Sequence, residues 1–209
     1  MLSSLSTDNP PLFRPQFHIT VAAMEDQAAT LLATLKKSSV AVDTKLALFN
    51  NLKSSVKHLR VPDAAQAPIF DCLKLAIGSQ TSSSLVNAGF STLGHLIKRL
   101  HLQDQTNVIA AQSNKLFPVL LDRLGDARES HRNAASQSLS DLWPICHTVV
   151  ERAIRDVALA GTNARAKEMG MQWVVKVCEY DSLLAYALIV CLDARKRRAA
   201  ISHVRTTFG

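Results

Sequence analysis

The residue types that perform acid–base, nucleophilic or metal chemistry are present in this chain but are not spaced to perform it. His58, His95, His101, His131 and His147 are scattered, and none stands four residues from another with a glutamate between them, as a helical zinc site requires. Cys72, Cys146, Cys178 and Cys191 are widely separated in apolar helical contexts, without CxxC or Cys/His ligand spacing, which predicts reduced core thiols. No GxSxG, Walker or GxGxxG segment occurs. The expectation is therefore no catalytic residue, no metal and no cofactor: a binding protein rather than an enzyme. The polar chemistry that remains is recognition. Asp126 follows a turn, and Arg132 lies one turn into the next helix. Such a pair can hydrogen-bond between stacked repeats while both charges stay partly solvated, and it reads as a structural ladder.

Those residues are positioned by a repeated unit. Gly78, Gly125 and Gly161 each follow an apolar helical run and precede a short polar stretch that opens another helix. Each is expected to close its helix in the left-handed conformation. Their intervals bracket the roughly 40–47-residue period of HEAT-type helix pairs. Hydrophobic content of 47% with only 5% aromatic residues suits helices packed on helices, so the predicted class is all-α, an α-solenoid of about five HEAT-type hairpins with the last incomplete.

Met24-Glu25-Asp26 reads as a helix start, and Ala28, Leu31, Leu32 and Leu35 make one apolar face. Asp43 is placed to cap the next helix, lined by Phe49, Leu52, Val56 and Leu59. The second hairpin pairs Ile69, Phe70, Leu73 and Ile77 with Leu85, Ala88, Leu93, Leu96 and Leu100, across a Ser-rich turn suited to capping. Gly89 and Gly94 inside that partner helix predict close approach of a neighbour. In the third, Pro118 opens a helix carrying Leu120, Leu121 and Leu124, followed by one carrying Ala135, Leu139 and Leu142. The fourth runs from about Ile145 to Cys178, with Val150, Ile154 and Val157 before its turn and Gly170, Trp173, Val174 and Val177 after it; a fifth begins at Asp181. Trp143 and Trp173 fall inside helical patterns, as core residues do.

The charge is unevenly spread. Residues 193–209 carry Arg195, Lys196, Arg197, Arg198 and Arg205 against Asp193, which is more than half of the formal net charge of +7. The basic pI thus argues only weakly for an acidic partner, and nucleic acid is the least favoured. The RKRR run reads as a nuclear import signal, a nucleic-acid patch, or residues foreign to the repeat pattern. The Pro-rich residues 1–23 lack a continuous apolar stretch and read as a disordered extension. Leu183 to Leu192 is about half the roughly 20 residues a membrane span needs and reads as a buried helix.

FSTLGHLIKRL (90–100), RLGDARESHRNAASQSLSDLW (123–143) and ALAGTNARAKEMGMQWV (158–174) together resemble the first TOG domain of fungal CLASP proteins, over about Met24 to Leu192. The resemblance implies a repeat domain over 24–192 between the extension and a basic tail, 193–209. It also implies a flat HEAT array whose intra-repeat turns face αβ-tubulin, in a family that binds microtubules, suppresses catastrophe, promotes rescue and acts at the spindle and kinetochore. Carried over by position, the facing edge comprises Lys37 to Asp43, Ser79 to Ser83, Asp126 to Arg128 and Thr162 to Lys167. Lys37, Arg128, Arg165 and Lys167 would meet an acidic tubulin surface, while Gln80, Thr81 and Asn163 would supply hydrogen bonds. Tubulin-binding TOG domains carry a tryptophan in the first turn, where this chain has Ser39, Val40, Ala41 and Val42. The implied location is the cytoplasm and spindle, with the nucleus open; the sequence leaves the oligomeric state open, with a monomer expected. Within a larger assembly the same edge would engage a kinetochore or spindle protein, and two alternatives stand beside this reading: a HEAT scaffold that holds a peptide of a non-tubulin protein in its concave groove or on its apolar flank, and a HEAT-fold nucleic-acid binder or DNA-repair enzyme.

Overall fold

The computed structural model describes residues 21–180. Helices α1 (Val21–Lys36) and α2 (Val42–His58) form a first hairpin, and α3 (Asp63–Ile77) and α4 (Ser83–Leu102) a second. After the short α5 (Thr106–Ser113), α6 (Phe117–Leu124) pairs with the first part of α7 (Glu129–Ala153). The end of α7, a π-helical segment (Ile154–Leu159) and α8 (Ala164–Tyr180) make the fourth. No strand occurs among the described residues. The hairpins stack in two layers: α1 lies on α3 and α2 on α4, then α4 on α7 and α8 against α6 and α7. The all-α solenoid expected from periodicity is thus the architecture, with four hairpins among the described residues. The fifth unit from Asp181, the RKRR tail and most of the N-terminal extension lie outside them.

The apolar stripes bury as their spacing requires. Ala28 and Leu31, Phe49, Leu52 and Val56, Ile69, Phe70, Leu73 and Ile77, then Leu120, Leu124, Ala135, Leu139 and Leu142 are all fully enclosed in one continuous core. Each large aliphatic or aromatic side chain so placed contributes about 1.5–3 kcal/mol. Trp173 is fully buried, whereas Trp143 is half-buried and donates its indole N–H to Glu151 Oε1 at 3.1 Å. Ser82 caps α4, its hydroxyl accepting from the Leu85 amide. Pro118 sits in the first turn of α6, where its missing N–H is harmless.

Several local expectations are corrected. Helix α1 is already formed at Val21, and its first turn holds no carboxylate. Asp43 does not cap α2: the cap position is Ala41, with no side-chain bond, and Asp43 lies one residue inside the helix, where it still faces the positive end of the dipole. No described glycine has a positive φ. Gly78 (φ −73) and Gly125 (φ −92) leave their helices by tightened turns, so glycine serves these sites by its lack of bulk. Gly89 does admit a neighbour, since a Cβ there would come 2.9 Å from Ile77 Cγ1, but a Cβ on Gly94 would meet nothing within 4 Å.

The expected break near Ile145 becomes a bend inside α7. Pro144 cannot donate the helical bond, and Cys146, two residues on, departs to φ −136 and ψ 45. Beyond it the Ala160 amide bonds to the carbonyl of Arg155, five residues back. That wider turn rotates the helix face. Val157, expected in the core, is 54% exposed, and Ala158 is buried in its stead. Helix α5 was not anticipated: it is two turns long and buries only Ile109 among its apolar side chains, too little to write a stripe.

Candidate docking edge

The antiparallel hairpins give the array two edges, each stitched by its own side chains. On the inter-repeat edge, Gln103 bonds both the amide and the carbonyl of Val61, at 2.8 and 3.0 Å, while Gln105 and Gln66 both donate to Asp63 Oδ1. These bonds tie the α2–α3 junction to the α4–α5 junction. The intra-repeat turns therefore gather on the opposite edge.

There Arg123 is the central residue. It is 5% exposed, and a buried guanidinium is tolerable only if its donors are met. Nε donates to the Ile77 carbonyl at 2.7 Å and Nη2 to the Ser79 carbonyl at 2.5 Å, so an arginine at the end of α6 closes the end of α3. Nη1 pairs with Asp126 Oδ2 at 2.5 Å. Asp126 Oδ1 accepts the Arg128 amide at 2.9 Å, and Oδ2 also meets His131 Nδ1 at 3.1 Å. The far nitrogen of that imidazole meets Ser83 Oγ at 2.9 Å, linking α7 back to the start of α4. Burial pushes the Asp126 carboxyl up, but the Arg128 amide, His131 and Arg123 outweigh it and hold the group at about 2. An ionised Asp126 only accepts, so Nδ1 of His131 carries the proton.

The ladder between repeats is consequently built by Arg123 and His131 rather than by Arg132. Arg132 Nη1 donates to the carbonyls of Asp126 and Ala127, within its own turn. Sequence reasoning missed Arg123 because it sits among leucines with an aspartate on either side, and His131 because no ligand spacing marked it. The available signal was Asp126 three residues after Arg123. The next turn joins by shape: a Cβ on Gly125 would fall on the Asn163 carboxamide, so Gly125 admits that side chain. Asn163 Oδ1 in turn accepts the amides of Arg165 and Ala166, capping α8.

Three successive turns are thus in register along one edge, and the α1–α2 turn joins them because α1 lies along α3. Lys37 sits on the first turn, Gln80 and Thr81 on the second, Arg128 on the third and Asn163 on the fourth, with Arg165 and Lys167 just after it at the start of α8; all seven are exposed. Asn163 has its oxygen committed to the α8 cap, leaving its amide nitrogen as a donor. Ser39 and Ala41 are exposed as well, so the first turn presents no aromatic side chain.

Among the described residues no group of three His, Cys, Asp or Glu could hold a metal ion. Cys72 and Cys146 are free and buried. Burial, aided by Asp71 and opposed by Lys36, pushes the Cys72 thiol up to about 12, and burial pushes Cys146 up to about 11, so neither supplies a thiolate. No described helix is long and apolar enough to cross a membrane.

Stacked helix pairs that present a row of polar and basic turns along one edge define a HEAT-type helical array. Residues 24–182 match the CLASP N terminal family, and the chain belongs to that family. It is 55% identical over 160 residues to Protein STU1 of Phaeosphaeria nodorum, covering 77% of this chain and 13% of that protein. Against Protein stu1 of Aspergillus fumigatus it is 47% identical over 171 residues, covering 79% of this chain and again 13% of the relative. The chain therefore spans only a small part of the curated relatives it matches. The crystal structure of the MAST/Orbit N-terminal domain superposes with a TM-score of 0.61 at 18% identity, over 72% of this chain and 65% of that one, a likeness of fold.

Proposed function

We propose that this array is a microtubule-associated docking module of CLASP type that engages αβ-tubulin along its intra-repeat turns and contributes to microtubule stabilisation at the spindle and kinetochore. The observation that carries this reading is the registration of consecutive turns by Arg123, His131 and Asn163, which leaves Lys37, Arg128, Arg165 and Lys167 facing solvent on one edge. A row of cations held by a rigid frame suits an acidic protein surface, and it acts mainly on association rate and register. Gln80, Thr81 and the Asn163 amide supply the neutral contacts. The module works as a monomer in the cytoplasm, without cofactor or catalysis.

The test is co-pelleting with microtubules at low ionic strength. Arg165→Glu with Lys167→Glu should weaken association about 3- to 10-fold, the effect of two exposed pairs turned repulsive. Unchanged binding would remove this edge from the interface. A second reading, docking of a non-tubulin kinetochore or spindle protein, is favoured by one feature. Trp173 is buried and Trp143 half-buried in the helices, so the first turn offers no aromatic anchor of the kind that dominates tight interfaces. If the unaltered chain fails to pellet with microtubules yet the same two reversals abolish capture of a kinetochore protein, that reading replaces the first.

A further inference from the structure

A second face carries charge that the turns do not explain. Helix α4 has no acidic residue along its length, and the one carboxylate of α2, Asp43, lies in its first turn. The C-terminal halves of the two helices lie side by side, because Arg99 of α4 donates from Nε to the Val56 carbonyl at 3.3 Å and from Nη2 to that of Lys57. Arg99 is thereby occupied in closing α2. Lys53, Lys57 and Lys98 have no such employment, and among the described residues no carboxylate pairs with them. They converge with His58 on His95, whose pKa is lowered by burial and then by Lys57, Lys53, Lys98 and His58.

His95 and Lys98 line an open groove of about 360 Å³ between α4 and α7, with Ser91 and Gly94 also from α4 and Gln137 and Asp141 from α7; Lys53 and Lys57 lie outside its lining, on α2. Glycine weakens a helix interior, and at Gly89 that is offset by the close approach of Ile77. At Gly94 nothing within the fold comes near, so no internal packing requires the missing side chain. Close approach of a foreign backbone would require it.

We infer that the α4–α7 groove binds an extended acidic peptide segment of another protein, its main chain passing over Gly94 and its carboxylates turned toward Lys53, Lys57 and Lys98. Asp141, held by Gln137 Nε2 at 2.8 Å, forms the opposite wall and repels acidic side chains from that side, which fixes the orientation of the segment. The same carboxylate disfavours a phosphate backbone. Phe90 at the groove is buried and offers no stacking platform for a base.

The experiment titrates the full chain into a fluorescein-labelled peptide of alternating glutamate and alanine at low salt, following anisotropy. Lys53→Glu with Lys98→Glu should weaken binding at least about tenfold. Gly94→Ala should raise the melting temperature while weakening the peptide, and Gly94→Leu should weaken it further. Arg165→Glu with Lys167→Glu should leave this affinity unchanged, which separates failure here from failure of the docking edge. Gly94→Ala binding as tightly as the unaltered chain would overturn the inference. So would a single-stranded DNA of equal charge displacing the peptide at lower concentration.

Discussion

Replacing Arg123 by methionine tests whether the turns are held in register by a buried charge. The substitution keeps most of the apolar volume of the stem and removes the donors to Ile77, Ser79 and Asp126. Two carbonyls then lose a partner, and the Asp126 carboxylate, with a side chain only 10% exposed, is left with the Arg128 amide and His131. Breaking a buried pair by removing one partner costs about 3–5 kcal/mol, because the desolvation of the survivor is no longer compensated. For a chain of this size that corresponds to a fall in Tm of about 6–20 °C. Far-UV circular dichroism under thermal and urea denaturation reads the loss. Amide hydrogen exchange should localise it to the α3–α4 and α6–α7 turns, with the glutamine-stitched edge unaffected. A loss under about 1 kcal/mol, the worth of an exposed ion pair, would refute the claim that Arg123 organises the edge.

Gly125→Ala should displace the Asn163 side chain and cost about 1 kcal/mol, the worth of a helix cap; Asn163→Ala should cost about the same, and the double variant little more than either in urea denaturation. Because Asp126 titrates at about 2 when folded, against an ordinary value of 3.8, its contribution is fully present above pH 4 and is lost as pH falls toward 2. Asp126→Asn should be less stable at neutral pH and should flatten that acid limb. Native Cys72 and Cys146 should react with a thiol reagent at pH 8 only as fast as the fold opens, so urea should accelerate labelling in step with unfolding.

The repeat architecture was legible because burial writes itself as spacing. Leu31 on α1, Phe49 and Val56 on α2, and Leu139 and Leu142 on α7 recur at helical intervals and are enclosed as that pattern requires. What escaped were features with more than one physical solution. A glycine after a helix can supply a left-handed cap or merely space, and Gly125 supplies space. An acidic residue near a helix start can cap it or face its dipole, and Asp43 faces the dipole. The π-helical turn that exchanges Val157 for Ala158 has no periodic signature, since one extra residue shifts the stripe only locally. For the docking edge, the turns were legible from their polarity, but the residue that joins them was not. Arg123 looks like any surface arginine until the carbonyls of Ile77 and Ser79, more than forty positions earlier, are brought beneath it.

The two stitched margins differ in kind, and this makes the array asymmetric toward its surroundings. On one margin Gln103 grips the Val61 amide and carbonyl through a neutral carboxamide, and only Gln66 and Gln105 beside it lean on a carboxylate, that of Asp63, whereas the other margin turns on the Arg123–Asp126 ion pair. Lowering pH toward 2 discharges the Asp126 carboxylate that Arg123 and His131 share, while the Gln103–Val61 bonds keep both partners. The alignment of the exposed turns thus hangs on a buried charge, and the junctions behind them on the neutral carboxamide of Gln103.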